Sequence, residues 1–585
     1  MTHGKPSYET DVLIVGTGPA GGSAAALLSS YGIDNLVVNQ FGWTARTPRA
    51  HITNQRTMEV FRDLGIESEV LSLATPADLM GENTYCTSLA GDELGRIKTW
   101  GTHPLRQADF ELASPCKLAD IPQDLLEPIQ IRAAAHRGSK VRFDTEYICM
   151  TQDEDGVTSI LRDHLTGEQF AVRSKYLIGA DGANSKVVDD AGLSVEGEMN
   201  ISGSMNMVFE ADLSKYVAHR PSVLYWVIQP GSDVGGLGIG VVRMVRPWRR
   251  WLAIWGYEIA DGPPNLDEQL ATQLVHNLIG DDTIPIKIES TSTWTVNNAF
   301  VGCNTNGRVF CMGDATHRHP PTNGLGSNTS IQDAFNLCWK LALVLKGKAA
   351  PSLLHSYDAE RTPVAEQIVT RANKSLDDFP PILQALGLFD TQNHEQMVKN
   401  IAGRKASTPE AAEQRAALIR AINSTHYVYN AHGVEMNQRY ESAAVVPDGS
   451  PSPEYIRDEE LYHQHSSRPG APLPHVWLEK ENKKASTLDI RPCGSFALLT
   501  GTGGEAWVNA SKQVSDELGV AIRAAVIGPG KEYLDTYGDY ARIREIKEHG
   551  ALLVRPDNII AWRYDGLPDN PAGTLRDALS QVLGK

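Results

Sequence analysis

The sequence predicts an α/β protein in which a parallel, Rossmann-like sheet is interleaved with an antiparallel one and followed by a separate small α/β unit. Three observations carry this. Asp11–Val15 is a short apolar run, the pattern of a strand buried on both faces; glycines, the small-residue segment Ala20–Ser30 and a second buried run, Asn35–Val38, follow it. Strand, glycine turn, helix and strand make a βαβ unit that opens a parallel sheet. Ser222–Tyr257 differs: its strand-like runs Val223–Ile228, Leu237–Met244 and Trp251–Tyr257 are separated by Gly and Pro, as in an antiparallel meander. Buried-strand patterns on either side of it, Lys175–Gly179 and Arg308–Met312, show the chain leaving the first sheet and returning to it.

The remaining elements follow in order. Ile331–Lys346 has helical spacing of apolar residues, with Ser330 and Asp333 placed as a capping box and Gly347 as a stop. Thr408–Ser450 is polar, and Pro447–Pro453 has the composition of a linker. Ser495–Thr500, Val520–Ile527 and Ala551–Arg555 then alternate with helical segments. The expected organisation is a first domain over 1–190 and 291–400, with 76–110 shared with a second domain over 191–290. A helical or linker region over 401–453 and a C-terminal domain over 454–585 complete it.

Composition narrows the function. The 585 residues are 41% hydrophobic and 21% charged, which excludes a disordered chain. With 54 Lys and Arg against 71 Asp and Glu, the net charge of -17 repels phosphate backbones and anionic membranes, so neither nucleic acid nor membrane is an expected partner. Seven cysteines without a CxxC pair suit a reducing compartment, and Met1–Thr10 lacks an apolar signal core. The expected location is cytoplasmic.

Gly16-Thr17-Gly18-Pro19-Ala20-Gly21 follows a strand and opens a helix. In such a fingerprint the first glycine permits the turn, the second admits a pyrophosphate and the third packs helix on strand. A bare glycine turn is the bland alternative; the βαβ context argues against it. The acidic residue expected to hold a ribose is replaced by Asn39, a weaker partner for a hydroxyl. Leu177–Ser185 is a strand running into Asp181-Gly182, and Gly307–His317 is another ending in Gly313-Asp314, before the loop Pro320–Asn328. Each is an ordinary turn signal by itself.

Together and in this order, the three segments resemble the FAD motifs of the class A flavoprotein monooxygenases, the aromatic hydroxylases. Pro48–Glu59, Tyr225-Trp226, Arg243–Trp248 and His317–Asn328 resemble more closely the phenol ortho-hydroxylases that carry a C-terminal thioredoxin-like domain. The resemblance implies that FAD is bound by Gly16, Gly18, Pro19, Ala20, Gly21, Asn39, Arg49, Gln55, Gln123, Asp181, Gly182, Asp314, Pro321, Gly324, Leu325, Gly326 and Asn328. It implies that His51, Trp226, Arg243, Trp294 and Pro321 surround a phenol. NADPH or NADH then serves as transient co-substrate, and O2 forms a flavin C4a-hydroperoxide that hydroxylates the phenol to a catechol. The second motif departs from the family at Val188, where an Arg is usual.

An imidazole titrates near working pH, so His51 is the candidate base; Arg243 is placed to stabilise a phenolate, and Asp120 to orient the proton network. Taken singly, His51 reads as a loop histidine, Arg243 as an edge charge, and Trp226 and Trp294 as sheet packing. Leu499–Ala506 imitates a second fingerprint but sits where a thioredoxin-like domain has its first loop, and Cys493 has no nearby partner. His317 and His319 supply too few ligands for a metal, and none is expected. Trp251-Leu252-Ala253-Ile254-Trp255 does not match the WxWxIP of flavin halogenases. A catalytically silent FAD-binding protein is the remaining alternative. The C-terminal domain is expected to support a homodimer or homotetramer.

Overall fold

The computed structural model describes residues 8–229, 239–391 and 393–585. Its first sheet runs Thr305–Asn306, Val309–Cys311, Gln169–Gly179, Tyr8–Val15, Asn35–Val38 and Lys140–Arg142, and the last five of these strands are mutually parallel. Val15 lies opposite Val38 and Gly179, and Gly179 opposite Cys311, so the turns after these strands open at one carboxyl edge. Open α/β sheets bind their ligands at that edge. Pro19–Ser30 packs between Gln123–His136 and Gly326–Leu345. It can do so because Ala24, Ala25 and Ala26 are fully buried and present no bulk to either neighbour.

The second sheet is antiparallel except for one pair. Its order is His317–Arg318, Lys287–Val301, Val195–Glu210, Arg250–Tyr257, Ile239–Arg246, Leu224–Ile228, Glu82–Cys86 and Glu93–Lys98. The Glu82–Lys98 hairpin brings part of 76–110 into this sheet. Lys287–Val301 crosses the expected boundary at residue 290, since one continuous strand pairs along Val195–Glu210. The strand expected from Leu237 begins at Ile239; positions 237 and 238 lie outside the described residues. One face of the sheet, with Tyr225, Val242 and Trp251, packs on the helix Glu268–Ile279 through Val275 and Leu278. The other face carries Trp226, Arg243 and Leu252 in the alternating positions.

The capping-box expectation at Ser330 fails. The long helix begins at Gly326, and Ser330 Oγ donates back to the Gly326 carbonyl. Asp333 instead accepts from the Gly313 amide, His317 and Arg361. Tertiary partners took the carboxylate that local spacing offered to the helix start. Within 401–453, expected as a helical or linker region, Pro409–Ser424 is a helix that buries Leu418 and Ile422 in one cluster with Tyr85 and Ile97 of the second sheet.

The C-terminal sheet runs Ile522–Ile527, Phe496–Gly501, Ala551–Val554 and Ile560–Tyr564. The first two strands are parallel and joined by Glu505–Leu518; the last two are antiparallel and followed by Pro571–Val582. This is a thioredoxin-like topology. Cys493 is exposed and carries no disulfide. Among the described residues no helix is long and apolar enough to cross a membrane.

A buried ionic group joins this domain to the first. Arg555 donates to Glu360 at 2.5 and 2.8 Å, Lys340 donates to Glu360 at 2.8 Å, and all three side chains are fully buried. Removing one member of such a group strands the others. Glu360→Ala should therefore destabilise the protein by about 3–5 kcal/mol, read as a lower midpoint in chemical unfolding.

Candidate active site

The glycines of the first motif divide into two kinds. Gly16 has φ +108°, and a Cβ on it would lie 2.1 Å from the Ala180 carbonyl oxygen; one on Gly21 would lie 2.0 Å from that of Gly16. These two let backbones touch. A Cβ on Gly18 would meet only Glu127 Oε1, at 3.9 Å, so this position borders open space. Gly313 packs on the same turn, its added Cβ falling 3.1 Å from that of Ala20. The Gly16–Gly21 turn, the turn after Gly179 and the Gly313-Asp314 turn are thereby assembled into one groove.

The donors and acceptors in this groove fit an FAD. Pro19–Ser30 has Pro19 in its first turn and no side-chain cap, so its leading N–H groups are available to a pyrophosphate. Asp314 is exposed, and among the described residues its carboxylate takes no protein donor, as suits a partner for a polyol. Leu325 and Gly326 begin a helix of 20 residues that also lacks a side-chain cap. Gly324, at φ +67°, is packed against Ile52, next to His51. The Gly324 amide donates to the Pro321 carbonyl, so the Leu325 and Gly326 amides and the helix dipole would be the groups that stabilise negative charge on a flavin ring.

Several expected FAD contacts are engaged elsewhere. Gln55 donates to the carbonyls of Phe110 and Cys116, which uses both hydrogens of its amide, and pairs through Oε1 with His432. Asn328 donates to the Ile52 and Gly324 carbonyls and accepts from the Asn54 amide, tying the two loops together. Asp181 holds its own turn through Ser185 Oγ and the Val187 amide. Gly182 at φ +84° is part of that turn. Val188 is fully buried in apolar packing, a site that has no place for an Arg. Asn39 bonds Thr17 Oγ1 at 2.6 Å and keeps acceptor capacity, while Arg49 is exposed beside the groove. Gln123 bonds Glu127 and the Ala50 amide, fixing the loop that precedes His51.

His51, Asp120 and Arg243 converge. Ile52–Thr53 pairs with Ala119–Asp120, placing Ile52 opposite Asp120, and His51 Nδ1 lies 2.7 Å from Asp120 Oδ1. Burial lowers the His51 pKa below its ordinary value and Arg243 lowers it further, against the opposing pull of Asp120. The ring is therefore neutral at neutral pH. With the proton on Nδ1 facing Asp120, Nε2 is the free base. Burial disfavours the Asp120 anion, but His51 and Arg243 outweigh it and hold the carboxyl below its usual range. Arg243 is 2% exposed and donates from Nη1 to the carbonyls of Pro48 and Arg49, both at 2.5 Å. Its Nε and Nη2 have no partner among the described residues, and burial pushes its pKa down to about 10.

The two tryptophans do not share one small pocket. Trp226 stacks on Tyr85 at 6.3 Å and packs on Phe379 at 4.6 Å. Cross-strand register puts Trp294 on the same face, but four strands away. That is roughly 19 Å at the usual strand spacing, too far for one phenol to touch both. The Trp294 indole bonds Asn206 instead. Pro321 is exposed at the start of the Thr322–Gly324 turn, on the cofactor side. The structure adds residues that sequence reasoning missed. Trp100 meets the His51 ring edge-on at 6.4 Å and packs on Tyr429 at 5.8 Å.

Comparison with known proteins agrees with this geometry. The family profile described as "FAD binding domain" matches residues 9–372, more than half of the chain, and "Aromatic-ring hydroxylase, C-terminal" matches 466–585. This chain belongs to the FAD-dependent aromatic hydroxylases. The hydroxylase is 64% identical to 2,4-dichlorophenol 6-monooxygenase of Delftia acidovorans, over 98% of each chain. It is 49% identical to phenol 2-monooxygenase of Pseudomonas sp. (strain EST1001), over 98% of this chain and 92% of that one. Among solved structures, the flavin-dependent monooxygenase PieE in complex with FAD and substrate superposes with a TM-score of 0.95 at 44% identity, over 99% of this chain and 100% of that one. The hydroxylase is thus an FAD-dependent monooxygenase whose relatives span its full length.

Proposed function

We propose that the enzyme hydroxylates a substituted phenol ortho to its hydroxyl group, giving a catechol, with NADH or NADPH as electron donor and O2 as oxidant. The observation that carries this reading is a neutral imidazole, held by a buried carboxylate and paired with a partly unsatisfied arginine, beside an aromatic wall and the cofactor cradle. The names of the relatives, a dichlorophenol and a phenol monooxygenase, point to the same substrate class.

Bound FAD supplies electron storage and the activation of O2. The protein's share is to make the ring electron-rich. His51 Nε2 takes the phenol proton as the ring begins to attack, Asp120 stabilises the imidazolium that forms, and Arg243 Nη2 faces the phenolate charge. Arg243 also clamps the Pro48-Arg49 carbonyls, so the base and the charge partner are set by one side chain. We also propose FAD contacts from Gly18, Pro19, Ala20, Asn39, Asp314 and the Leu325 and Gly326 amides. Seven unpaired cysteines suit a cytoplasmic enzyme, and we assign the C-terminal domain an assembly role in a homodimer or homotetramer.

The pH profile tests the proton path. His51 protonates only below its ordinary pKa, so hydroxylation should hold through neutrality and fall on the acid side. Asp120 raises the His51 pKa, and Asp120→Asn should therefore shift that acid limb to lower pH while slowing hydroxylation by about 10- to 100-fold. An acid limb that stays in place in Asp120→Asn would assign it to another group.

A further inference from the structure

We infer that Arg555 and Asp557, both on the C-terminal domain, are positioning residues for FAD: they fix the helices that hold the Gly313-Asp314 and Leu325-Gly326 ends of the cofactor groove. This rests on the groove proposed above and gives the C-terminal domain a part in cofactor binding beside its assembly role.

The Arg555–Asn558 turn meets three helices of the first domain at once. Arg555 donates to both carboxylate oxygens of Glu360, at 2.5 and 2.8 Å, on the helix Ser356–Lys374. The Asp557 carboxylate takes two bonds from Arg555 and accepts from Asn336, at 3.4 Å, on the helix Gly326–Leu345. The Asp557 carbonyl accepts from Arg56, at 2.9 Å, on the helix Gln55–Asp63. The Arg555 and Glu360 side chains are fully buried, and Asp557 is 2% exposed. Ile559, just beyond the turn, shares an apolar cluster with Leu325, the residue before the helix that begins at Gly326.

From this turn a continuous set of charged hydrogen bonds reaches the groove. Glu360 and Arg361 are consecutive on one helix, so a lock on Glu360 also sets the position of Arg361. Arg361 Nε donates to Asp333 at 2.7 Å; Asp333 accepts from the Gly313 amide at 3.1 Å and pairs with His317 at 2.9 Å. Burial disfavours the Asp333 anion, but Arg361 and His317 outweigh it and hold the carboxyl below its usual range. Gly313 packs against Ala20 of the first motif, and Asp314, the partner proposed for the cofactor polyol, follows it. Buried polar networks of this kind rigidify when every member is satisfied and loosen when one bond is lost. A binding group keeps its geometry only as well as the bonds behind it do.

The test follows FAD retention by the full-length holoenzyme. Each protein is loaded with FAD and diluted, and the flavin fluorescence recovered as the cofactor dissociates gives its Kd. A chemical unfolding curve of the same sample reports stability. Arg555→Lys keeps the charge but loses the planar fork that spans Glu360 and Asp557. It should weaken FAD binding by about 10-fold in protein that remains folded. Asp557→Asn, which keeps the shape, should act in the same direction and serves if the lysine variant does not fold. Arg563→Gln is the comparison, because Arg563 pairs with Asp448 and Glu545, neither of them on those three helices. It should lower the unfolding midpoint and leave FAD binding within about twofold. Unchanged FAD binding in both Arg555→Lys and Asp557→Asn would make these residues structural only and overturn the inference. An equal loss in Arg563→Gln would assign the effect to general loosening of the domain and overturn it as well. Gly18→Val, measured alongside, distinguishes the two levels: full FAD retention there would overturn the groove and the inference together.

Discussion

Gly18→Val should give a folded but colourless protein. The wild type is expected to be yellow, with one FAD per chain. Gly16 and Gly21 cannot be used for this test, because a side chain on either would strike backbone at about 2 Å and disturb the fold itself. At Gly18 the added Cβ meets only a carboxylate oxygen at 3.9 Å, and its φ of -64° suits any residue. The valine therefore occupies the space through which a pyrophosphate approaches the helix N-terminus, and little else. FAD affinity should fall by 100-fold or more, about 2.7 kcal/mol. The check is flavin absorbance after desalting, with a thermal melt that matches the FAD-stripped wild type. Full flavin occupancy in the variant would mean that the cofactor lies elsewhere.

His51→Ala should separate electron transfer from oxygen insertion. Loss of the base should slow hydroxylation by roughly 100-fold. His51 makes no hydrogen bond to the groove of the first motif, so NAD(P)H should still be consumed, with its electrons emerging as hydrogen peroxide. Acidic phenols, such as halogenated ones, should suffer less, since they need less help to ionise. The measurement is catechol formed per NAD(P)H oxidised, for phenols of graded acidity, in wild type and variant. Unchanged rate and coupling across the series would reduce His51 to a loop residue and leave Arg243 to stabilise the phenolate alone.

How much of this was legible beforehand depended on the range of the interaction concerned. The βαβ start is local, and the structure reproduces it, with Gly16 and Gly21 at close backbone approaches and Gly18 bordering open space. The interleaving of two sheets followed from the change of strand pattern after Lys175–Gly179. Distant pairing was not accessible. His51 meets Asp120 across 69 residues because two short strands bridge there, and no spacing in the chain announces it. Alternation places Trp226 and Trp294 on one face, but strand order separates them, and order is a property of the assembled sheet. Gln55 and Asn328 were assigned to the cofactor by resemblance; the hydrogen bonds they make within the protein go to neighbours that only the folded chain supplies. Trp100 carried no sequence signal; its packing on His51 and Tyr429 is what singles it out.

The most direct test of the central claim is the product formed by the purified, FAD-loaded wild-type enzyme. With 2,4-dichlorophenol and unsubstituted phenol, under air and with NADH and NADPH supplied separately, the account predicts substrate-stimulated oxidation of at least one nicotinamide. It further predicts close to one ortho-hydroxylated catechol per nicotinamide consumed, with one oxygen atom from O2. Nicotinamide oxidation that yields only hydrogen peroxide with every phenol, or hydroxylation away from the ortho position, would contradict it.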